Sequence, residues 1–441
     1  MNYTSTISQL KLFSPLEEVA CYQNSKQYGY FSVLVGYPDG KRQTSYPLEH
    51  MPTVLELLDT TKDTWVSQAC FYKPNRRVVN LKSIGLAYLD IDCYKLDWAL
   101  NMTPEQLASR FVQICHFEGV PDPSLIVYSG RGLQPKWFFT SPVPRDGLPR
   151  WNALQKELLK RFIPYGADPQ ARDASRVLRL VETVNTKSNQ YCKVVSLNNG
   201  QDGTPYRYSF DSFCDLILPY TREELRAMRD ARSDTSKIKE KSSWTTEFTI
   251  ATLNWSRLED LRLLQQMRSG MLEGKRMLML FLQMNFLALS KQVTSNTFYK
   301  EASQLAHQID PQWQCNVKDL TSLYTRLEME LKGETVIFHG RKRTPLYTPT
   351  NETLINLLDI TNDEMRKLRT IISPEIKLER KNKTRIERRR SEGCLSREDY
   401  QGRSEARKRR ARELYTHGYS IRNIAKEMNL SVGSISRYLN R

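Results

Sequence analysis

Tyr88-Leu89-Asp90-Ile91-Asp92, YLDID, closes an apolar run that begins at Ile84 (IGLAYLDID). The run reads as a buried strand. Alternate side chains of a strand share a face, so Asp90 and Asp92 point one way while Leu89 and Ile91 point the other. Two carboxylates about 7 Å apart along a strand suit a pair of divalent cations about 3.5–4 Å apart, the arrangement that assists phosphoryl transfer. The competing reading is an edge strand with two solvated acids.

Around this strand the first half of the chain alternates strands and helices. YFSVLVGYPDGKRQTSYP predicts a hairpin turning at Asp39-Gly40. TPEQLASRFVQICHFEG predicts a helix. Thr103 and Gln106 form its capping box, Pro104 stands at its first position, and Leu107, Phe111 and Ile114 form its apolar stripe. SLIVYS and LQPKWFFT read as two strands joined by Gly-Arg-Gly, PRWNALQKELLKRF as a second amphipathic helix, and YCKVVSL as a further strand. Thr221 and Glu224 cap a helix that fades into the polar SDTSKIKEKSS.

Two further stretches carry chemistry. YSGRGLQPKWFF sets Ser129, Gly130, Arg131 and Gly132 in a turn, where glycine admits close backbone approach to a ligand and Arg131 can meet a phosphate. A plain hairpin turn is the alternative. GADPQARDASRVLRLVETVNTKSN offers Asp168, Asp173, Arg176, Arg179, Asn185 and Lys187. The spacing of Arg176 and Arg179 suits a helix or tight turn that shows both to one polyphosphate, or else a solvated salt-bridge cluster.

In this order the three stretches resemble the archaeo-eukaryotic primase superfamily, and above all the primase-polymerases of plasmids and other mobile elements. The resemblance covers roughly residues 30–197. It implies an α+β fold with an RRM-like primase core. Asp90 and Asp92 match the first motif and Ser129 to Gly132 the second, where many members carry a His and this chain has Gln134, whose amide can donate instead. Asp168, eight residues before Arg176, matches the third, with Asp173 as the competing third ligand. By this resemblance Asp90, Asp92 and Asp168 hold two Mg²⁺ or Mn²⁺ ions, and nucleoside triphosphates are the substrates. Arg176, Arg179 and Lys187 grip the triphosphate from one side, and Ser129, Gly130, Arg131 and Gln134 hold it from the other.

From about Trp244 the pattern is helical. GMLEGKRMLML is not a Walker A motif: only three residues separate Gly270 from Gly274, and Arg276 follows Lys275. A separate helicase is therefore an expected partner. The Gly-Lys-Arg start of this helix resembles the helical domain that follows the catalytic domain in mobile-element primases. The five histidines are scattered, without the His-x-His of a nicking enzyme.

The chain ends in ARELYTHGYSIRNIAKEMNLSVGSISRYLNR. Leu414, Ile421, Ile424, Ala425, Leu430, Val432, Ile435 and Leu439 have the spacing of a three-helix core, resembling the helix-turn-helix of resolvases. Ser434, Arg437 and Asn440 then face a major groove. A protein-binding helical module is the alternative. The stretch before it, either a solvated helix or a disordered arm, is dense in Lys and Arg, and Arg409 and Arg410 suit phosphates.

Composition agrees with a nucleic-acid partner. The 441 residues carry a formal charge of +17, with 39% hydrophobic and 26% charged residues. None of the eight cysteines forms a C-x-x-C pair, which leaves a zinc finger or disulfide framework unsupported. No apolar run reaches the roughly 20 residues of a membrane span and the N-terminus is unlike a signal peptide, so no membrane partner and a cytoplasmic location are expected.

The expected organisation is a primase-polymerase domain over 1–232, a linker over 233–243, a helical domain over 244–335 and a small helical element over 336–375. A basic arm over 376–404 and a helix-turn-helix over 405–441 complete it. The expected function is replication of a plasmid or mobile element, with single-stranded template and origin duplex DNA as partners. The competing classes are a non-catalytic DNA-binding initiator or transcription regulator with a degenerate front half, and a nuclease using the same acids.

Overall fold

The computed structural model describes residues 14–234, 243–269, 274–338 and 340–440. They form two compact units. One runs to Pro349 and takes in Leu368–Thr370; the other comprises Thr350–Lys367 and the described residues from Ile371 onward. The polar linker expected over 233–243 lies mostly outside the described residues.

The first unit is α+β. It begins with helix α1 (Pro15–Ala20), the hairpin β1 (Tyr30–Tyr37) and β2 (Gly40–Pro47), helix α2 (Met51–Glu56), and strands β3 (Thr64–Ser67), β4 (Ala69–Phe71) and β5 (Leu81–Tyr88). Helix α3 (Pro104–Phe117), strands β6 (Leu125–Tyr128) and β7 (Leu133–Pro144), and helix α4 (Leu148–Phe162) follow. Strands β8 (Val177–Arg179), β9 (Val184–Asn185), β10 (Gln190–Tyr191), β11 (Lys193–Leu197) and β12 (Arg207–Tyr208) come next, then helices α5 (Phe210–Ile217) and α6 (Arg222–Asp234). One sheet runs in the order β11-β6-β7-β5-β4-β1-β3-β8, with β2 beside β1 and β12 beside β7. Only the β12–β7 pairing among its ladders is parallel.

Local signals explain several of these elements. The hairpin turns at Asp39, with Tyr37 opposite Gly40. In α3 the Thr103 hydroxyl accepts from the Gln106 amide at 3.3 Å, and the Gln106 side chain accepts from the Thr103 amide at 2.9 Å. The β7 strand is covered on both faces. Phe213 of α5 lies against Trp137 and Phe139, while Glu18 of α1 meets Lys136 on the opposite face. Both members of that ion pair are fully buried. Coverage on both faces is why the central strands read as nearly continuous apolar runs.

Helices α7 (Ser243–Met267), α8 (Arg276–Leu289), α9 (Phe298–Ile309) and α10 (Thr321–Leu331) form a helical layer of the same unit. Leu258, Leu261, Met284, Phe286, Phe298 and Leu305 are buried in it. It grips the loop before β5. Glu301, buried in α9, accepts from the backbone amides of Val78 and Val79 at 3.3 and 3.2 Å. Arg145, in the short turn before α4, donates to the carbonyls of Val78, Val79 and Leu81 and pairs with Glu259. No helix among the described residues is long and apolar enough to cross a membrane.

The second unit contains α11 (Asn351–Leu358), α12 (Asn362–Lys367), α13 (Pro374–Ser391), α14 (Arg397–Thr416), α15 (Ile421–Glu427) and α16 (Val432–Leu439). The Lys/Arg-dense stretch is helical, and α14 runs without a break across residue 405. Ala411, Leu414, Ile424, Ala425 and Ile435 form the buried core of the last three helices, with Ile421, Met428, Leu430, Tyr438 and Leu439 against it. Val432, expected in this core, is 49% exposed at the first position of α16, where no preceding helical turn covers it.

Candidate active site

The β5 strand ends at Tyr88, so the carboxylates lie just beyond it. Pairing with β7 nonetheless continues: Leu89 donates to Pro135 at 3.0 Å and Ile91 to Leu133 at 2.8 Å. Extended geometry is kept, and Asp90 faces Gln134, whose side-chain amide reaches its carboxylate at 3.5 Å.

On the other side runs the segment that carries Asp168. The Asp92 amide donates to Gly166 and the Asp168 amide to the Asp90 carbonyl, both at 2.8 Å. Residues 166–168 therefore act as a short strand beside the D-x-D segment, and Ile91 bridges to Ala167. Burial pushes the Asp90 carboxyl up to about 6; Arg176 opposes the rise, while Asp92 and Asp168 add to it. The outer acids are paired. Asp92 meets Lys95 at 2.5 Å and Asp168 meets Arg176 at 3.0 Å. Asp173 is engaged elsewhere: its carboxylate accepts from the Ser175 hydroxyl at 2.6 Å and its carbonyl from the Tyr88 hydroxyl at 2.7 Å.

Among the described residues no three His, Cys, Asp or Glu side chains are drawn together as a ready metal-ligand set. The donor chemistry still fits a divalent cation. Asp90, Asp92 and Asp168 are hard oxygen donors on adjacent extended segments, the donor type a divalent cation of this class takes.

The Ser129–Gly132 turn closes beside them. The Ser129 amide and hydroxyl both donate to the Gly132 carbonyl, at 2.8 and 3.1 Å. Gly130 holds φ at +89°, where a Cβ would come within 2.7 Å of the Asn185 Cβ. At Gly132 a Cβ would run into the Ile91 carbonyl. These glycines thus let the turn lie directly on the D-x-D segment and on Asn185. The Arg131 guanidinium stacks 4.4 Å from the centre of the Tyr94 ring.

Arg176 and Arg179 are not presented by a helix or tight turn. Arg176 precedes β8 and Arg179 ends it, because this segment pairs with β3: Trp65 with Arg179 and Val66 with Leu178. Extended spacing sends the two guanidiniums to different partners. Arg176 serves Asp168, while buried Arg179 pairs with Asp63, donates to the Asn185 side chain at 3.1 Å and lies 4.5 Å from the Trp65 ring centre. Asn185 in turn donates to the Ser129 carbonyl at 2.8 Å. Lys187, just after β9, is exposed.

Sequence reading missed Tyr88, Arg76, Asp63 and Lys95. Arg76 donates to Gln43 at 2.9 Å and also to the Ser175 carbonyl, tying the loop before β5 to β2 and to the segment that precedes Arg176. Lys95 carried a signal, standing three residues after Asp92. Arg76 and Asp63 carried none, since only the sheet order brings them near.

In the second unit Arg437 is exposed on α16 and Asn440 is exposed at its C-terminal cap, while Ser434 is half-buried with its amide capped by the Ser431 hydroxyl at 3.2 Å. Arg409 and Arg410 are exposed on α14.

The chain is 27% identical over 319 residues to a "Replication protein" of Clostridium perfringens, which covers 71% of this chain and 69% of that protein. The primase-polymerase domain of cyanophage S-2L covers 46% of this chain and 96% of its own length, at 18% identity and a TM-score of 0.34. The catalytic domain of primase RepB′, crystallised with initiator DNA, covers 51% of this chain and all of itself, at 13% identity and a TM-score of 0.30. Residues 406–441 match a family described as the gpP-like ATPase subunit of terminase. This chain is thus similar to a replication protein over most of its length and to a terminase segment over its last helices.

Proposed function

We propose that this is a replication protein whose first unit is a metal-dependent primase-polymerase and whose last helices bind origin duplex DNA. The observation that carries this reading is the backbone pairing of the segment that carries Asp90 and Asp92 with the segment that carries Asp168, with Gln134 against Asp90 and Arg176 against Asp168. The similarity to a replication protein supports the same reading.

Asp90, Asp92 and Asp168 would hold Mg²⁺ or Mn²⁺, which supplies a Lewis acid for the primer 3′-hydroxyl and charge neutralisation for the triphosphate. The chain's own groups position the reactants. Gln134 orients the Asp90 carboxylate through its amide. Arg176 holds Asp168 and stands next to the reacting phosphates. Arg179 and Lys187 bind the triphosphate farther along, and the Ser129–Gly132 turn lets the nucleotide approach the backbone. Arg131 on Tyr94 forms a cation–aromatic ledge at the rim. The template is single-stranded DNA, and unwinding falls to a separate helicase.

Ser434, Arg437 and Asn440 read the origin, while Arg409 and Arg410 contact phosphates. A second reading, a non-catalytic initiator or regulator, draws support from the Asp92–Lys95 and Asp168–Arg176 pairs, which occupy two of the three acids. Labelled-nucleotide incorporation on single-stranded DNA, with and without a primer, and with Mg²⁺, Mn²⁺ or chelator, separates the two. Incorporation that chelator abolishes supports the enzyme; none under any condition leaves the regulator.

A further inference from the structure

The β1–β2 hairpin brings a lysine to the cation-rich end of the site. In the sheet, Lys41 lies opposite Gly36, Leu34 opposite Trp65, and Trp65 opposite Arg179. Strand alternation puts the side chains of Lys41, Trp65 and Arg179 on one face. The contacts agree. The Lys41 ammonium lies 4.1 Å from the Trp65 ring centre, and the Arg179 guanidinium lies 4.5 Å from the same centre. Asp63 pairs with Arg179, and it also accepts from the Thr186 amide and hydroxyl. Lys187 follows Thr186, its amide donating to the Asn185 side chain at 3.2 Å. Burial lowers the Lys41 ammonium from its usual range, Arg179 and Lys187 lower it further, and only Asp63 opposes them. Lys41 and Arg179 therefore share the Asp63 carboxylate, itself already engaged by Thr186, and Lys187 adds positive charge beside Lys41.

We propose that Lys41, together with Arg179 and Lys187, seats the terminal phosphate of the incoming nucleoside triphosphate, so that the hairpin forms a further wall of the nucleotide site. The inference rests on the primase-polymerase reading. Arg176, at the acid end, and Arg179, at the cation end, are three extended residues apart, roughly 10 Å along the strand. A polyphosphate reacting at the acids extends its far end toward Lys41. Compactness favours a terminal phosphate over a DNA backbone. Two cations meeting at Trp65, with Lys187 adding charge beside Lys41, answer a multiply charged group, whereas backbone phosphates carry one charge each and are spaced along a strand.

The test uses the full-length protein. Calorimetry with Mg²⁺ measures binding of a deoxynucleoside triphosphate and its diphosphate to the wild type, Lys41→Ala, Lys41→Arg and Arg179→Ala. Fluorescence anisotropy measures binding of a single-stranded oligonucleotide to the same set. Lys41→Ala should weaken triphosphate binding roughly tenfold, as loss of a charge-assisted contact does, with diphosphate and oligonucleotide binding little changed. Lys41→Arg should restore most of the loss. Unchanged triphosphate affinity in Lys41→Ala, with a large loss in Arg179→Ala, overturns the role of Lys41 and leaves the nucleotide site standing. A parallel loss of oligonucleotide binding also overturns it and assigns the cluster to the DNA backbone. A wild type that binds neither nucleotide overturns both this inference and the reading beneath it.

Discussion

The Arg176 guanidinium lies 3.0 Å from the Asp168 carboxylate. Both stand beside Asp90, because the Asp168 amide donates to the Asp90 carbonyl. Asp173, closer to Arg176 in sequence, instead turns its carboxylate to Ser175. This relationship supports Asp168 as the proposed third acid, and the first prediction follows from it.

Asp90→Asn, Asp92→Asn and Asp168→Asn should each reduce nucleotide incorporation to background and leave duplex binding intact. Asp173→Asn should keep measurable incorporation. A primer-extension assay beside a duplex-binding assay checks this; an inactive Asp173→Asn with an active Asp168→Asn would transfer the role to Asp173.

Gly132 is held against the Ile91 carbonyl, where a methyl group has no room. Gly132→Ala should force the turn away from the D-x-D segment, costing about 1–3 kcal/mol of stability and most of the incorporation rate. Chemical denaturation and single-turnover kinetics measure the two effects. Near-normal values of both would mean the turn relaxes freely and does not set the site.

Arg176 and Arg179 have different partners, so their substitutions should differ. Arg179→Ala should raise the KM for nucleotide with little change in template affinity. Arg176→Ala should lower kcat as well, because it leaves Asp168 without its cation. Steady-state kinetics with varied nucleotide and varied template resolve the split. Weakened template binding with unchanged nucleotide KM would place the pair on DNA instead.

Burial pushes the Glu301 carboxyl up to about 7, against the lowering effect of the Val79 amide, Arg77 and the Val78 amide. Its folded value lies above its unfolded one, so its contribution to stability is complete below about pH 4.5 and is lost as pH rises through 7. The loss should amount to something on the order of 3 kcal/mol. Melting curves should therefore show the wild type falling relative to Glu301→Gln between pH 5 and pH 8. A constant difference across that range would show that Glu301 stays charged in the folded protein.

Ending the chain at Thr370, the last residue of the first unit, should leave incorporation on a generic single strand and remove sequence-specific duplex binding. In the full chain Arg437→Ala should cost roughly 1–3 kcal/mol at the specific site if it reads a guanine. Arg409→Ala with Arg410→Ala should weaken all duplexes alike and flatten the salt dependence. Binding measured at several salt concentrations distinguishes these outcomes. Full origin specificity in the shortened chain would place recognition in the first unit.

What the sequence determined by itself is local. The hairpin turn at Asp39, the Thr103–Gln106 capping box and most of the core of the last three helices each depend on residues a few positions apart. Short-range geometry and alternating burial suffice for these. Where a short segment is compatible with two periods, the local signal fails. Arg176 and Arg179 suit a helical turn as well as a strand, and the open edge of β3 decided for the strand. Val432 has the right spacing for a core, but its position at the start of α16 leaves it exposed. The remaining relationships needed the tertiary structure. Asp168 reaches Asp90, Lys41 and Arg179 meet at Trp65, and Glu301 holds the loop before β5, all through elements distant in sequence. Which strand edges pair, and which charges are buried together, is settled by closing the whole sheet around its core. No stretch of residues carries that information alone.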